Sequence, residues 1–437
     1  MIPKMKFDAI VVGGGPAGST AALVLARSGL SVALLERGEY PGAKNVSGAA
    51  LYGARFLEQL YPGFWSDAPV ERYITRRVIG MMSGSTLVSI DFKNDQWGEP
   101  PYNGFTVMRS RFDRWLARKA EEAGALVLTG TVVDGLIIEN GVVKGVRTRR
   151  ANGALYADVV IAADGVHSFL AREAGLQREL QAHDLSLGVK EVISIDRRII
   201  EERFQLNGNE GVTYEFAGAV TGAVNGGGFL YTNENSLSIG VIVQISSLVE
   251  KRVKPYELLA KLKEHPSISP LVRGGVAKEY AAHMIPEGGW KMFPKLYTSG
   301  MLVCGDAAGM VLVTGYYLQG INYAMVSGQA AAETVIEAVH KKDFSAAALA
   351  AYENVLQARH VIGDFKKFRR TPGMLSNPRF QNVYPEIACR SMEKLFAAGD
   401  GPKQKILGHI APELKGAGVT WLDIARDLLE GGRTLGW

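Results

Sequence analysis

FDAIVVGGGPAGSTAALVLARSGLSVALLER, from Phe7 to Arg37, carries a strand, a glycine-rich turn, a helix and a second strand in that order. Its first six residues are mainly apolar and rich in β-branched side chains, which predicts a buried parallel strand with a helix to follow. Gly13 allows the tight turn out of the strand, Gly15 lets backbone N–H groups approach a pyrophosphate, and Gly18 lets the helix pack closely on the sheet. Pro16 suits a first helical turn, where its missing N–H costs nothing. Ala17, Ser19, Ala21 and Ala22 keep the helix near the strand, and Gly29 is placed to stop it. Glu36 closes the second strand, where a carboxylate can accept both hydroxyls of an adenosine ribose and would repel a 2′-phosphate. Strand, motif, helix, strand and acid in register mark a dinucleotide site.

Outside this run the chain is bounded by its composition. Its 437 residues suffice for two to three domains, and 47% hydrophobic with 21% charged residues is the balance of a soluble globular protein. A formal charge of +5 over that length gives no argument for nucleic acid, though it suits an acidic partner or an anionic membrane surface. The two cysteines, Cys304 and Cys389, cannot ligate an iron–sulfur cluster, which needs about four, and read as free buried residues. No HxxxH or HExxH pair suggests a metal site. Lys4 and Lys6 lead straight into the first strand, so no cleavable signal peptide is expected. Met301 to Met325 is long enough to span a bilayer, but Asp306, Gln319, Asn322 and its glycines argue against a membrane helix.

After Glu36 the glycine-rich connection RGEYPGAKNVSGAALYG is expected to lie over the ligand, with Lys44, Asn45, Ser47 and Gly48 as candidates for its reactive end. Arg109 stands just before a predicted helix, RFDRWLARKAEEAG, for which Ser110 is the candidate N-cap and Asp113 its capping-box partner. Strands follow from Ala125 to Arg149, then YADVVIAA, which ends in Asp164-Gly165. From Asp184 to about Val276 the pattern alternates as in an antiparallel sheet. The strand Met301 to Cys304 runs into Gly305-Asp306, and Gly320-Ile321-Asn322 opens a long helix of small residues. Near the end Lys366, Lys367, Arg369 and Arg370 cluster beside apolar residues, and a final amphipathic helix starts at Thr420.

GGGPAG with Glu36, Asp164-Gly165 and Gly305-Asp306, in that order, resemble the FAD-dependent group that includes the aromatic hydroxylases, the geranylgeranyl reductases and the electron-transfer flavoprotein:quinone oxidoreductases. ERGEYPGAKNVSGA, GGGFLYTN, HPSISPLV, KEYAAHMIPEGGW and AMVSGQAAAE are most similar to the shorter, FixC-type members of the last branch. The resemblance implies that FAD is held by Gly13, Gly15, Pro16, Ala17, Gly18, Glu36 and Arg37 at its ADP half. Val132, Ala163, Asp164 and Gly165 would lie beside the adenine end. Arg109 would stand near the pyrophosphate, Gly305 and Asp306 at the ribityl chain, and Ser47, Gly48, Gly320, Ile321 and Asn322 around the ring.

The implied fold class is α/β: a Rossmann-like FAD-binding domain of the glutathione-reductase/hydroxylase type in three pieces, residues 1–74, 106–183 and 278–345. An inserted, mostly antiparallel β-sheet domain for substrate or quinone takes residues 75–105 and 184–277, and a helical C-terminal region takes 346–437. The implied activity is transfer of electrons from a two-subunit electron-transfer flavoprotein, through FAD, to membrane quinone. No general base or nucleophile is expected. The four-cysteine domain of the single-chain relatives is missing here, which implies a separate small ferredoxin-like iron–sulfur subunit. It also implies an assembly that splits electrons between a low-potential carrier and quinone. Gly226, Gly227, Gly228, Phe229 and Tyr231 are the quinone candidates, because glycines let an aromatic headgroup approach the backbone. The segment AAGMVLVTGYYLQG after Asp306 departs from the hydroxylase pattern. Rival expectations are an NAD(P)H-dependent prenyl reductase of the geranylgeranyl-reductase type and a non-catalytic FAD-bearing assembly subunit. The expected location is cytoplasmic and peripheral to the membrane, with the basic cluster or the Trp97 to Tyr102 loop as contact.

Overall fold

A computed structural model describes residues 6–46, 48–151, 153–399 and 401–436; Ser47 lies outside the described residues. In chain order, strand β1 (Lys6–Val12), helix α1 (Pro16–Arg27) and β2 (Val32–Leu35) form the opening unit. Next come β3 (Ala49–Tyr52), β4 (Val70–Met82), β5 (Leu87–Lys93), β6 (Gly104–Val107) and α2 (Arg109–Glu122). Four strands follow: β7 (Leu126–Leu128), β8 (Val133–Glu139), β9 (Val142–Thr148) and β10 (Ala154–Ala162). The inserted region holds β11 (Leu185–Ser194), β12 (Glu210–Gly218), β13 (Gly226–Thr232), β14 (Ser236–Gln244), α3 (Pro255–Glu264) and β15 (Val276–Pro286). Then β16 (Tyr297–Thr298), β17 (Met301–Val303) and α4 (Ile321–Lys341) precede the C-terminal helices α5 (Tyr384–Phe396), α6 (Ile406–Gly416) and α7 (Trp421–Gly431).

The architecture is the expected one, an α/β nucleotide fold with an inserted, mostly antiparallel sheet and a helical C-terminal region. The first sheet runs β16-β17-β10-β1-β2-β7, parallel from β17 to β7, with the β8–β9 hairpin continuing from β10. Ile10, Leu34, Val160 and Leu302 at its centre are wholly buried. Helices α1 and α4 pack against each other at very short range. A Cβ on Gly328 of α4 would stand 2.1 Å from the Ala17 carbonyl of α1, so only glycine permits the approach.

The second sheet runs β15-β11-β14-β13-β12-β4-β6-β3, with β5 paired to β4. Its strands start outside the expected residues: β3 belongs to it, and β4 begins at Val70 rather than after residue 74. The physical reason is that β6 pairs with both, Val107 facing Ala49 on one side and Val70 on the other. Every pairing is antiparallel except β4 with β12, which is parallel. Leu258, Leu259 and Leu262 of α3 close one face over Leu230, Ile239 and Val241. Each of those leucines is 1% exposed, and such burial is worth about 1.5–3 kcal/mol per side chain.

Two local expectations are corrected. Ser110 does not cap α2, which starts at Arg109 after Met108 with no side-chain cap. Asp113 is drawn to the Arg109 guanidinium instead, because a bidentate ion pair one turn away outcompetes a hydroxyl. By contrast Thr420 and Asp423 form the reciprocal capping box of α7. In the loop between β5 and β6, Trp97 packs on Phe92 and Tyr102 stacks on Tyr73 at 5.4 Å.

Candidate functional site

The nucleotide site forms where β1, β2, β10 and β17 end, the usual crevice of an open parallel sheet. Gly13 leaves β1 at φ +108°, and a Cβ there would stand 2.2 Å from the Ala163 carbonyl. Gly18 is as crowded, 1.9 Å from the Gly13 carbonyl, while a Cβ on Gly15 would meet nothing within 4 Å. That open space lies at the positive end of α1, whose cap is Gly15 and whose first turn is Pro16, Ala17 and Gly18. Glu36 is buried, and its carboxylate accepts from Gly14 N at 2.8 Å and Gly38 N at 2.6 Å. Thr131 N donates to the Glu36 carbonyl, which brings Val132 beside the acid.

The other predicted residues converge from distant segments. Ala163 N donates to the Val12 carbonyl, and Asp164 keeps one carboxylate oxygen buried without a partner. Gly165 turns the chain at φ +82°. Burial pushes the Asp306 carboxyl up, and the charge of the Arg109 guanidinium opposes this. Gly305 N donates to Ser327 Oγ on α4 at 2.9 Å. Gly320 caps α4, Ile321 begins it, and Asn322 Nδ2 donates to Gln319 Oε1. Gly48 turns at φ +73° beside Ser238. Arg37 is exposed, yet its charge reaches His167 and His283. Asn45 turns its amide to Asp113 at 3.1 Å and so completes the clamp on Arg109.

Sequence reasoning missed several groups here. Lys190 on β11 is 2% exposed, and its Nζ donates to the Gly48 carbonyl at 2.8 Å. Burial pushes this amine down to about 7. Burial, then Arg109, His167 and Arg37, push His283 down to about 4. A lysine within the largely apolar strand LSLGVKEVIS was the available signal for Lys190. Asp113 was singled out as a capping-box partner rather than as the anion that holds Arg109, because that pairing was legible only once the helix start was known.

A cavity of about 1100 Å³ opens on the face of the second sheet. Gly226, Gly227, Gly228, Phe229 and Tyr231 all line it, the two rings stacked at 4.9 Å. Tyr52 and Tyr317 line it side by side, their ring centres 5.1 Å apart, and Gly53, next to Tyr52, lies against the Asn322 side chain. Arg369, Arg370, Met374 and Leu435 bring the C-terminal region to the same wall, Met374 and Leu435 lying against Gly315.

Against known proteins, a FAD binding domain model matches residues 6–205 and an ETF-QO, ubiquinone-binding model matches 185–285. The ETF-QO/FixC family C-terminal domain matches 371–436. The protein FixC of Escherichia coli (strain K12) is 42% identical over 430 residues, 97% of this chain and 98% of that one. The chain belongs to the ETF-QO/FixC family. Its cofactor is FAD, and it is an FAD-dependent oxidoreductase. A second relative in this family is the probable electron transfer flavoprotein-quinone oxidoreductase YdiS of E. coli (strain K12). It is 41% identical over 98% of this chain and 99% of its own. Among solved structures, a geranylgeranyl bacteriochlorophyll reductase-like protein from Thermoplasma acidophilum superposes with a TM-score of 0.74 at 22% identity, covering 98% of this chain and 99% of that one. The flavin-dependent brominase Bmp2 superposes at 0.65 with 17% identity, covering 98% of each. At those identities the likeness is one of fold.

The residues present fit the dinucleotide of the family. The space beside Gly15 would be filled by a methyl group, and the buried Asp164 oxygen is an acceptor awaiting a donor. The ETF-QO/FixC ubiquinone-binding region contains the glycine stretch of the cavity, and the family's C-terminal domain supplies its far wall.

Proposed function

We propose that this ETF-QO/FixC chain takes electrons from a two-subunit electron-transfer flavoprotein and passes them through FAD to a membrane quinone. The observation that carries the reading is the cavity, whose wall joins Tyr52 and Tyr317 with the glycine stretch Gly226 to Gly228 and with residues of the C-terminal region. It is walled by the ubiquinone-binding region and large enough for a headgroup with part of an isoprenoid tail. Bound FAD supplies the electron-carrying chemistry, and the chain supplies orientation and access. Glu36 would accept the ribose hydroxyls. The N-terminus of α1 and Arg109, held by Asp113, would face the pyrophosphate. Asp306 would bond the ribityl hydroxyls, Gly320, Ile321 and Asn322 the ring edge, and Val132, Ala163 and Gly165 would border the adenine.

The membrane side of the cavity follows from the same wall. Helix α7 exposes Trp421, Leu422, Leu428 and Leu429, two pairs seven residues apart and so one stripe. Its far end, Glu430 and Gly431, lines the cavity, as do the exposed Arg369 and Arg370 of the basic cluster. This suits a peripheral contact with an anionic bilayer in which quinone dissolves. Among the described residues no helix is long and apolar enough to cross a membrane. A separate ferredoxin-like iron–sulfur subunit, and division of electrons between a low-potential carrier and quinone, complete the proposed assembly. Cys304 and Cys389 are buried and free, and so are not placed to bind a cluster.

The test is anaerobic. The flavin is expected to stay oxidised with NADPH and to be reduced by electron-transfer flavoprotein or by a quinol analogue. Bleaching by NADPH alone, with no response to the other two, would replace this reading by a prenyl reductase.

A further inference from the structure

One acid stands in an apolar row of the cavity wall. Glu215 on β12 is flanked in register by Ile79 of β4 and Phe229 of β13. Its Oε1 accepts from the Tyr52 hydroxyl at 3.1 Å and from Arg77 Nη2 at 3.2 Å. Its Oε2 is buried and makes no hydrogen bond. The Arg77 guanidinium is itself held between two rings, 4.4 Å from the centre of Tyr317 and 4.9 Å from that of Tyr52. A buried carboxyl with one oxygen unsatisfied costs stability, and an apolar side chain would suit the row better. Glu215 lines the cavity together with Tyr52, Tyr231 and Tyr317, so a ligand held there lies against this cluster.

The charged and titratable groups around Glu215 are few. Arg77 faces it from β4, Tyr52 from β3 and Tyr231 from β13, with Thr213 on its own strand. Burial pushes the Glu215 carboxyl up and Arg77 opposes this, so the acid form persists to higher pH than for an exposed glutamate. Burial pushes both neighbouring tyrosines far up, so neither gives up its proton more readily than the carboxyl. Of the other acids lining the cavity, Glu287 accepts from the Ser186 hydroxyl on β11 and the buried Asp184 is ion-paired with Arg178, so both have partners of their own.

Resting on the quinone reading above, we propose that Glu215 is the proton donor of this cavity, giving its proton to a carbonyl oxygen of the quinone headgroup as that headgroup is reduced. The headgroup gains two electrons from the reduced flavin and two protons in all. The O–H bond of the Glu215 acid breaks as an O–H bond forms on the oxygen it faces, and the second oxygen takes its proton from water. Arg77 and Tyr52 stabilise the carboxylate left behind until water at the cavity mouth reprotonates it. Glu215 is thus a catalytic residue, and Arg77 and Tyr52 are positioning residues.

The test uses the flavin-loaded protein, its flavoprotein donor and a tail-less dimethoxy-methyl-benzoquinone. Glu215→Gln is expected to slow quinone reduction by about 10²–10⁴-fold, the usual share of general acid catalysis, while flavin content and reduction by the donor stay unchanged. The wild-type rate should fall as rising pH deprotonates the carboxyl. That limb should vanish in Glu215→Gln, persist in Glu287→Gln and return with part of the rate in Glu215→Asp. An independent readout is infrared: the resting protein should show a protonated-carboxyl carbonyl band that Glu215→Gln removes. A Glu215→Gln protein within threefold of wild type with an unaltered pH profile, or an unchanged carbonyl band, overturns the proposal alone. A wild-type protein that takes electrons from the donor but passes none to the benzoquinone overturns the quinone reading and this step with it.

Discussion

Gly15 and Gly18 stand three residues apart in one motif, yet a methyl group has opposite consequences at each. Gly15→Ala puts its Cβ into open space, so the apoprotein should melt within a degree or two of wild type while flavin content collapses. Gly18→Ala drives a Cβ to 1.9 Å from a carbonyl, and should lower stability by about 1–3 kcal/mol or more as well as losing flavin. Thermal melts with and without added FAD separate the two. At Lys190 the relevant variable is pH. Its ordinary value is 10.5 and burial lowers it to about 7, so between those values the unfolded chain binds a proton the folded chain does not. Stability therefore rises with pH across that window, and below about 7 the penalty is full. Lys190→Met should be more stable than wild type at pH 6, with the difference shrinking toward pH 10, as read from melts of flavin-free protein. The glycine motif and Glu36 were legible in the sequence because their chemistry is local. Lys190 and Glu215 were not, since their partners Gly48 and Tyr52 lie 142 and 163 residues away.

The second sheet shows what strand patterns disclose and what they leave out. Alternation located β11, β13 and β14 and gave their antiparallel character, because one face packs on a core and the other does not. It gave no hint of the parallel seam between β4 and β12, which depends on which segments meet rather than on what each contains. That seam builds the cavity wall, setting Ile79 beside Glu215 and Met81 beside Ala217. Ala217→Trp should fill part of the cavity without touching either core, raising the KM for a quinone analogue about tenfold or more, equivalent to ~1.4 kcal/mol. Flavin content should be unaffected, and steady-state kinetics beside the flavin spectrum check both. Helix α7 was legible from its cap and its period, but the period names an apolar stripe without saying what covers it. Trp421 and Leu422 face outward, 58% and 69% exposed.

For the whole molecule, the proposed membrane contact rests on that stripe. Leu422→Glu with Leu429→Glu should abolish co-sedimentation with anionic vesicles and turnover of a long-tailed quinone held in them, yet leave turnover of a tail-less analogue within about twofold. Loss of both activities would place the helix in the fold rather than at a membrane. The division of the second sheet also bears on how the chain is made. Strands β3 to β6 are finished by Val107, but β12, the partner of β4, begins only at Glu210. As the chain leaves the ribosome, Ile74, Val78 and Met82 of β4 must wait, unpaired on that side, until β12 emerges. A chaperone that shields extended apolar segments has its natural client there. For the same reason no single cut between the two segments yields a transferable cassette, so chimaeras between relatives should fold only when both segments come from one parent.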